Sequence, residues 1–311
     1  MAELSIKVGE NFKASDILYP SFARPLFDIS EDGKKAVKRW GFCSGAVLSS
    51  EGDHIVVRHE KRECVDYGAY LTGVWSVPER SSPPRGGVLS ELVELMLESY
   101  RTFGVSTSPK DDYVVFTSIF LSRNTDYDKN TIRWVRELLY RLDDFSKIAE
   151  LKGRDILKLV GSSYQLRQLP SALKCYSRVR SEVLEGRHQE MLKCSNVGPK
   201  VYHSYMLHVL LRKDIAPIDI NLTRFLNMFS DWKLGLEKPE KRKCLKHQCE
   251  FCPTSHKCAE SMLRRELGDL LGWFQNATYY HFKNYCKLSR CFKCPLNNIC
   301  LKKKRLKPNH I

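Results

Sequence analysis

Leu192-Lys-Cys-Ser-Asn-Val-Gly-Pro-Lys-Val-Tyr202 is the stretch on which the fold turns. A helix is expected to end near Cys194. Asn196 and Gly198 are the residue types most at ease in left-handed backbone. Pro199 suits the first position of a following helix, because that position needs no N–H donor. The segment therefore predicts a tight hairpin, residues 194–200, between two helices. Such a corner leaves backbone N–H groups pointing outward, a geometry that suits a phosphate. A corner with Asn and Gly can also be only a corner.

Nineteen residues beyond Lys200 stands Asp219, in Pro217-Ile-Asp-Ile-Asn-Leu-Thr-Arg-Phe225. It lies between apolar residues just before a helical stretch, where a carboxylate is favoured as N-cap. Its plain role is that cap, and the plain role of Lys200 is a solvated lysine.

Outward from the hairpin the pattern is helical. Leu89, Leu92, Val93, Leu95, Met96 and Tyr100 form an apolar stripe at helical spacing. Ser108-Pro-Lys-Asp-Asp112 caps a second helix through Phe120. Residues 128–142 and 153–159, a segment from Leu169-Pro170 to Leu184, and residues 259–285 read as further helices. Before residue 88 the pattern is β-rich: Gly45-Ala-Val-Leu-Ser49 and His54-Ile-Val-Val-Arg-His59 flank a turn, and Tyr67 to Val77 offers another strand. Ser81-Ser-Pro-Pro-Arg-Gly-Gly87 breaks regular structure and marks the boundary. The expected class is α+β, with a β-rich domain over 1–87 and a helical body over 88–243.

The chain of 311 residues carries a formal charge of +15, which points to a polyanionic partner. From Lys241 to Ile311 there are sixteen Lys and Arg against four acidic residues, +12 of the total. No apolar run is long enough to span a membrane. The first ten residues lack the apolar core of a signal peptide, so an intracellular site, in cytoplasm, nucleoid or nucleus, is expected. In such a reducing compartment cysteines serve more often as metal ligands than in disulfides.

Eight of the twelve cysteines form two runs. Cys244, Cys249, Cys252 and Cys258 read C-x4-C-x2-C-x5-C, and so do Cys286, Cys291, Cys294 and Cys300. Pro253 and Pro295 follow the third cysteine of each, and the repeat period is 42 residues. Four thiolates so close can wrap one metal centre at small loop-closure cost. A four-cysteine zinc site more often pairs two knuckles across a longer gap, so an iron–sulfur cluster is expected in each run, with zinc the alternative for 244–258. His247 and His256 lie inside the first run as possible substitutes for a thiolate. Cys43, Cys64, Cys175 and Cys194 show no ligand spacing and are expected as small core or surface residues. The loops at 244–258 and 286–300, the helical segment 259–285 and a basic tail, 301–311, complete the chain.

Val197-Gly-Pro-Lys-Val resembles the L-P-G-V-G-x-K hairpin of the helix-hairpin-helix DNA glycosylases of the endonuclease III type. Ile218-Asp-Ile-Asn-Leu-Thr-Arg-Phe225 resembles their V-D-T-H-I-x-R-V segment, and Ser118-Ile-Phe-Leu-Ser-Arg-Asn-Thr125 their A-I-L-S-Q-x-T helix end. Gly272-Trp-Phe through Cys286 resembles the helix leading into their C-terminal cluster. The likeness runs in order over about residues 111–303. Cys194-Ser-Asn stands in place of L-P-G, and the first cysteine gap is four residues rather than the commoner six. The run 244–258 is additional, and reads as an insertion. The N-terminal piece resembles the extra domain of the 8-oxoguanine and alkyladenine branches, with no motif to carry that likeness.

The resemblance implies a helical body of two lobes with C-terminal iron–sulfur loops, and two [4Fe–4S] clusters in all. It implies Lys200 as nucleophile and Asp219 as catalytic carboxylate. Asn196, Val197 and Gly198 would bind the DNA backbone, and Arg123 and Asn124 would fill the gap left by an extruded base. Tyr127, Trp134 and Tyr164 could stack on a base or serve as core. The implied activity is a glycosylase with AP-lyase function, acting as a monomer on double-stranded DNA carrying a lesion or mispair. Two alternatives stay open: a non-catalytic nucleic-acid-binding protein and a zinc-dependent interaction module. Schiff-base trapping separates the first reading from both.

Overall fold

The computed structural model describes residues 2–9, 12–79, 89–142, 144–229 and 236–301. Five strands form one antiparallel sheet: β1 (Ala2–Lys7), β2 (Phe27–Ile29), β3 (Lys35–Lys38), β4 (Val47–Glu51) and β5 (His54–His59). Their order is β1-β5-β4-β3-β2, with Leu4 and Leu48 both in register with Val57. Leu48, Ile55 and Val57 are fully buried.

Among the described residues the other regular elements are helices, apart from one isolated bridge between Glu237 and Cys258. Near the sheet lie α1 (Ala14–Leu18), α2 (Arg62–Asp66) and α3 (Gly68–Thr72). The body contains α4 (Ser90–Tyr100), α5 (Asp112–Leu121), α6 (Ile132–Arg141), α7 (Gly153–Val160) and α8 (Tyr164–Leu184). Beyond it come α9 (Pro199–His208), α10 (Ile220–Phe229), α11 (Lys241–Lys246), α12 (Ala259–Leu267) and α13 (Leu271–His281). Among the described residues, no helix is long and apolar enough to cross a membrane.

Several expectations are corrected. Residues 67–77 are not a strand; they form α3 and a short 3-10 turn, Val74–Ser76. Buried Tyr67, Gly68, Leu71 and Thr72 fall at helical rather than alternating spacing. Helix α8 begins at Tyr164, not at Leu169, so Pro170 lies inside it. The Ser163 hydroxyl caps its start by accepting from Gln165 N at 3.2 Å, and Leu166, Leu169 and Pro170 are buried, so packing offsets the missing donor. The helical stretch from 259 breaks at Gly268, whose φ of 49° favours glycine. The expected boundary at Ser81–Gly87 and the tail from Lys302 lie outside the described residues.

The sheet and the helical body share one core. Lys38 of β3 is fully buried and donates to the carbonyl oxygens of Trp40 and Phe42 and to Asp111 Oδ2, at 2.6–2.7 Å. Asp111 also accepts from Phe42 N at 2.7 Å and from the Ser108 hydroxyl at 2.6 Å. Each polar group of this bridge is thereby matched, as a buried charge pair requires. Elsewhere Gly104 meets Gly73 so closely that a Cβ on Gly104 would lie 2.0 Å from the Gly73 oxygen.

Cys43 pairs with Cys64, and Cys175 with Cys194, which corrects the expectation that these four are small core or surface residues outside disulfides. Separations of 21 and 19 residues carry no local signature, because each bond joins elements that meet only after folding.

Candidate active site

The hairpin forms as its residue types dictate. Asn196 takes left-handed backbone with φ 63°. Gly198 does not; its φ of −108° and ψ of 179° are extended, and it is the N-cap of α9. A Cβ at Gly198 would meet nothing within 4 Å, so this face of the turn is open. Val197 and Val201 are buried beneath and anchor the turn to the core. The Cys175–Cys194 bond ties its first residue to α8.

Arg123, just past α5, is held on all sides. It donates to Phe120 O and Asn196 O at 2.8 Å and to Gln168 Oε1 at 2.9 Å. Its guanidinium also stacks over the Phe120 ring at 3.7 Å. Asn124 is left-handed at φ 49°, and its amide donates to the Tyr164 hydroxyl at 3.4 Å.

Lys200 and Asp219 line one cavity of about 400 Å³, within the range of ligand pockets. Lys200 is the second residue of α9 and half-buried; its ammonium has no ion-pair or hydrogen-bond partner among the described residues. Asp219 caps α10. Its Oδ1 accepts from Leu222 N at 2.8 Å, and the Asn221 amide lies 3.4 Å from its Oδ2. The cap and the cavity wall are thus the same carboxylate, and the two roles do not compete.

Other walls come from distant segments. Pro20, Phe22 and Tyr127 stand on one side, Gln275, Asn276 and Tyr279 come from α13, and Ser204 and His208 extend the face of α9 below Lys200. The Tyr127 hydroxyl donates to Ser21 O at 2.6 Å, fixing the Pro20–Phe22 segment. Burial pushes the His208 imidazole down to about 3 and raises the Tyr279 phenol well above its ordinary value. Arg224, Lys283 and Lys287 add positive charge to the walls. Of the aromatic candidates, Tyr127 lines the cavity, Trp134 is buried on α6 and Tyr164 is exposed. Phe22, His208, Gln275 and Tyr279 have no sequence signal that marks them, since each reads as ordinary helix or core.

The eight remaining cysteines form no disulfide among the described residues. In each run the second cysteine opens a 3-10 turn, Cys249–Phe251 and Cys291–Lys293. The third has nearly the same backbone in both: φ −73°, ψ 127° at Cys252 and φ −77°, ψ 119° at Cys294. Burial, then the neighbouring sulfurs of the run, raise the Cys244 thiol to about 12; burial first also raises Cys249, to about 11. The donor set of four thiols suits a metal centre, but among the described residues no three His, Cys, Asp or Glu side chains stand in metal-holding geometry. A further cavity of about 440 Å³ borders the first run at Tyr202, His203, Cys244, Cys249 and Arg264.

The lysine that follows the hairpin and the capping aspartate face one cavity, on a helical body against which the five-stranded sheet packs. The chain is similar to a Clostridium acetobutylicum 8-oxoguanine glycosylase/lyase in complex with double-stranded DNA containing cytosine opposite 8-oxoguanine: 15% identity, 91% of this chain and 98% of that one covered, TM-score 0.58. The apo form of the same enzyme gives 16% identity over 90% and 96%, TM-score 0.60. MBOgg1 in complex with a low-affinity DNA ligand gives 13% identity over 90% and 95%, TM-score 0.59. No protein-family model matches the chain, and no curated protein matches it by sequence. At these identities the likeness establishes the fold.

Proposed function

We propose that the chain is a DNA glycosylase with lyase activity that removes an oxidised purine from double-stranded DNA, acting as a monomer. The observation that carries this reading is the single cavity lined by both Lys200 and Asp219, in a fold shared with 8-oxoguanine glycosylase/lyases.

The target nucleotide must leave the stack to enter such a cavity, at a cost of a few kcal/mol. Asn124, on the cavity rim, is suited to fill the space it vacates. The open turn at Asn196–Gly198 would receive the phosphate backbone. The Asp219 carboxylate, held by Leu222 N, stabilises positive charge developing at C1′. The deprotonated Lys200 amine attacks C1′; a new C–N bond forms as the glycosidic bond breaks, and the base departs with the electron pair and a proton. The sugar ring opens to an imine. Loss of a C2′ proton then expels the 3′ phosphate and nicks the strand.

Borohydride treatment with a duplex carrying 8-oxoguanine opposite cytosine, or a preformed abasic site, tests the reading. It should yield a covalent adduct with wild type and none with Lys200→Ala. No adduct on either duplex overturns it.

Each cysteine run is assigned one [4Fe–4S] cluster, with zinc the alternative for Cys244, Cys249, Cys252 and Cys258. Equal spacing and equal backbone at the third cysteine support one kind of centre in both. A bound cluster would supply structural cross-linking to loops that bury almost no core of their own. About eight iron and eight sulfide per chain fits two clusters; about four iron with one zinc leaves the first run as a zinc site.

A further inference from the structure

Helix α9 presents one stripe to the cavity. Lys200, Ser204 and His208 are spaced by four residues and all three line it. At about 1.5 Å per residue, the His208 backbone lies roughly 12 Å along the helix from that of Lys200. Ser204, between them, is small, and its hydroxyl is already used in donating to Lys200 O at 2.8 Å. The stripe therefore runs from an amine with no partner among the described residues, past a low wall whose one hydroxyl proton is already engaged, to an imidazole.

That imidazole has an unpartnered atom. His208 is 3% exposed, and its Nδ1 is buried without a hydrogen-bond partner among the described residues. Its position is nonetheless fixed. The His208 carbonyl accepts from the Thr107 hydroxyl at 2.6 Å, and its ring stands edge-to-face against Phe22 at 4.9 Å. Buried polar atoms are ordinarily matched, and neither ring nitrogen of His208 has a hydrogen bond among the described residues, so a ring that lines the cavity has a nitrogen to offer a ligand atom there. His203, on the same helix, also has a buried unpartnered Nδ1, but it faces Glu260 at 3.6 Å and does not line this cavity. The His208 ring is neutral, since burial holds its pKa near 3, so it offers one donor and one acceptor and no charge. Across the cavity from a different helix, the Gln275 amide is 8% exposed and has no hydrogen bond among the described residues. Two separate polar readers suit a bicyclic base with hydrogen-bonding atoms on both rings better than a single-ring base.

Resting on the glycosylase reading above, we propose that His208 forms the floor of the base pocket and hydrogen-bonds the ring edge of an extruded purine, making it a specificity-determining residue. Ser204 leaves the space for the ring between His208 and the attacking amine.

The test compares wild type, His208→Phe and His208→Gln on two duplexes. One carries 8-oxoguanine opposite cytosine; the other carries a preformed abasic site, which has no base to read. Single-turnover base release is measured on the first, and borohydride trapping on the second. His208→Phe should lower base release about tenfold or more, with trapping at the abasic site retained. His208→Gln, which can still donate and accept, should recover part of the loss. Base release from His208→Phe within about twofold of wild type overturns the proposal. So does an equal fall of both readouts in both variants, which would make His208 a packing residue. A wild type that traps the abasic site but releases no 8-oxoguanine overturns the purine assignment alone. A wild type that traps neither duplex fails the glycosylase reading itself.

Discussion

The Arg123 guanidinium donates to the main-chain oxygen of Asn196 at 2.8 Å, so the end of α5 clasps the hairpin. Asn196 is the left-handed residue of that turn, and its carbonyl faces a cation rather than solvent. With its other donors on Phe120 O and Gln168, Arg123 acts as a support for the hairpin, and Asn124 next to it reaches the cavity.

Arg123→Ala should therefore loosen the turn. The expected result is DNA binding weakened about tenfold, the scale of one charged hydrogen bond. Because the charge is not itself on a phosphate, the slope of log affinity against log salt should stay close to that of wild type, which is itself steep. Titrations at several salt concentrations measure both. A slope reduced by about one would place Arg123 on the DNA instead.

Lys200 and Asp219 should separate by readout. Lys200→Ala should abolish borohydride trapping. Asp219→Asn should lower base release by about 10²–10³ while DNA binding stays near wild type. Asn retains the capping oxygen, so α10 should survive the change. A comparison of thermal unfolding, binding and single-turnover rates distinguishes lost chemistry from lost structure.

The buried bridge between Lys38 and Asp111 joins the sheet to the start of α5. Removing one partner strands the other as an uncompensated buried charge. Asp111→Ala should destabilise the fold by about 3–5 kcal/mol, read from urea unfolding. Replacing both residues by apolar ones of similar volume should cost less than the sum of the single changes.

Stability should peak near pH 6.5. His203 and His208 are held near 3 and His281 near 4 by burial, against 6.5 in the unfolded chain. As pH falls below 6.5 the unfolded chain takes up protons that the fold refuses, so stability drops. Glu260 is raised by burial from 4.5 to about 8. Between those values the fold keeps a proton that the unfolded chain releases, so stability falls as pH rises through that window. Three histidines outweigh one carboxyl below 6.5, and the carboxyl dominates above it. Melting temperatures across pH 4–9 check the maximum; His208→Phe should lessen the acid slope and Glu260→Gln the alkaline decline.

Local chemistry was legible in the sequence. Asn196 needed left-handed backbone, Pro199 needed a helix start and Asp219 needed an N-cap, and all three are where their residue types required. The stripes of α4 and α7 and the repeat of the cysteine runs were legible for the same reason, since each is a relation among residues a few positions apart. Where a short segment satisfied two patterns, as at 67–77, or where packing overrode a breaker, as at Pro170, local reading failed.

By itself, then, the sequence determined the hairpin, the lysine and aspartate that flank it, and the order of helices. Periodicity states which face of a helix is buried, not what it is buried against. Only the tertiary structure decided that Lys200 and Asp219 share a cavity, that Phe22 and Gln275 close it from opposite ends of the chain, and that His208 ends inside it unpartnered. It likewise paired Cys175 with Cys194. These are contacts between segments far apart along the chain, set by the packing of one shared core, and no local rule of spacing or propensity encodes them.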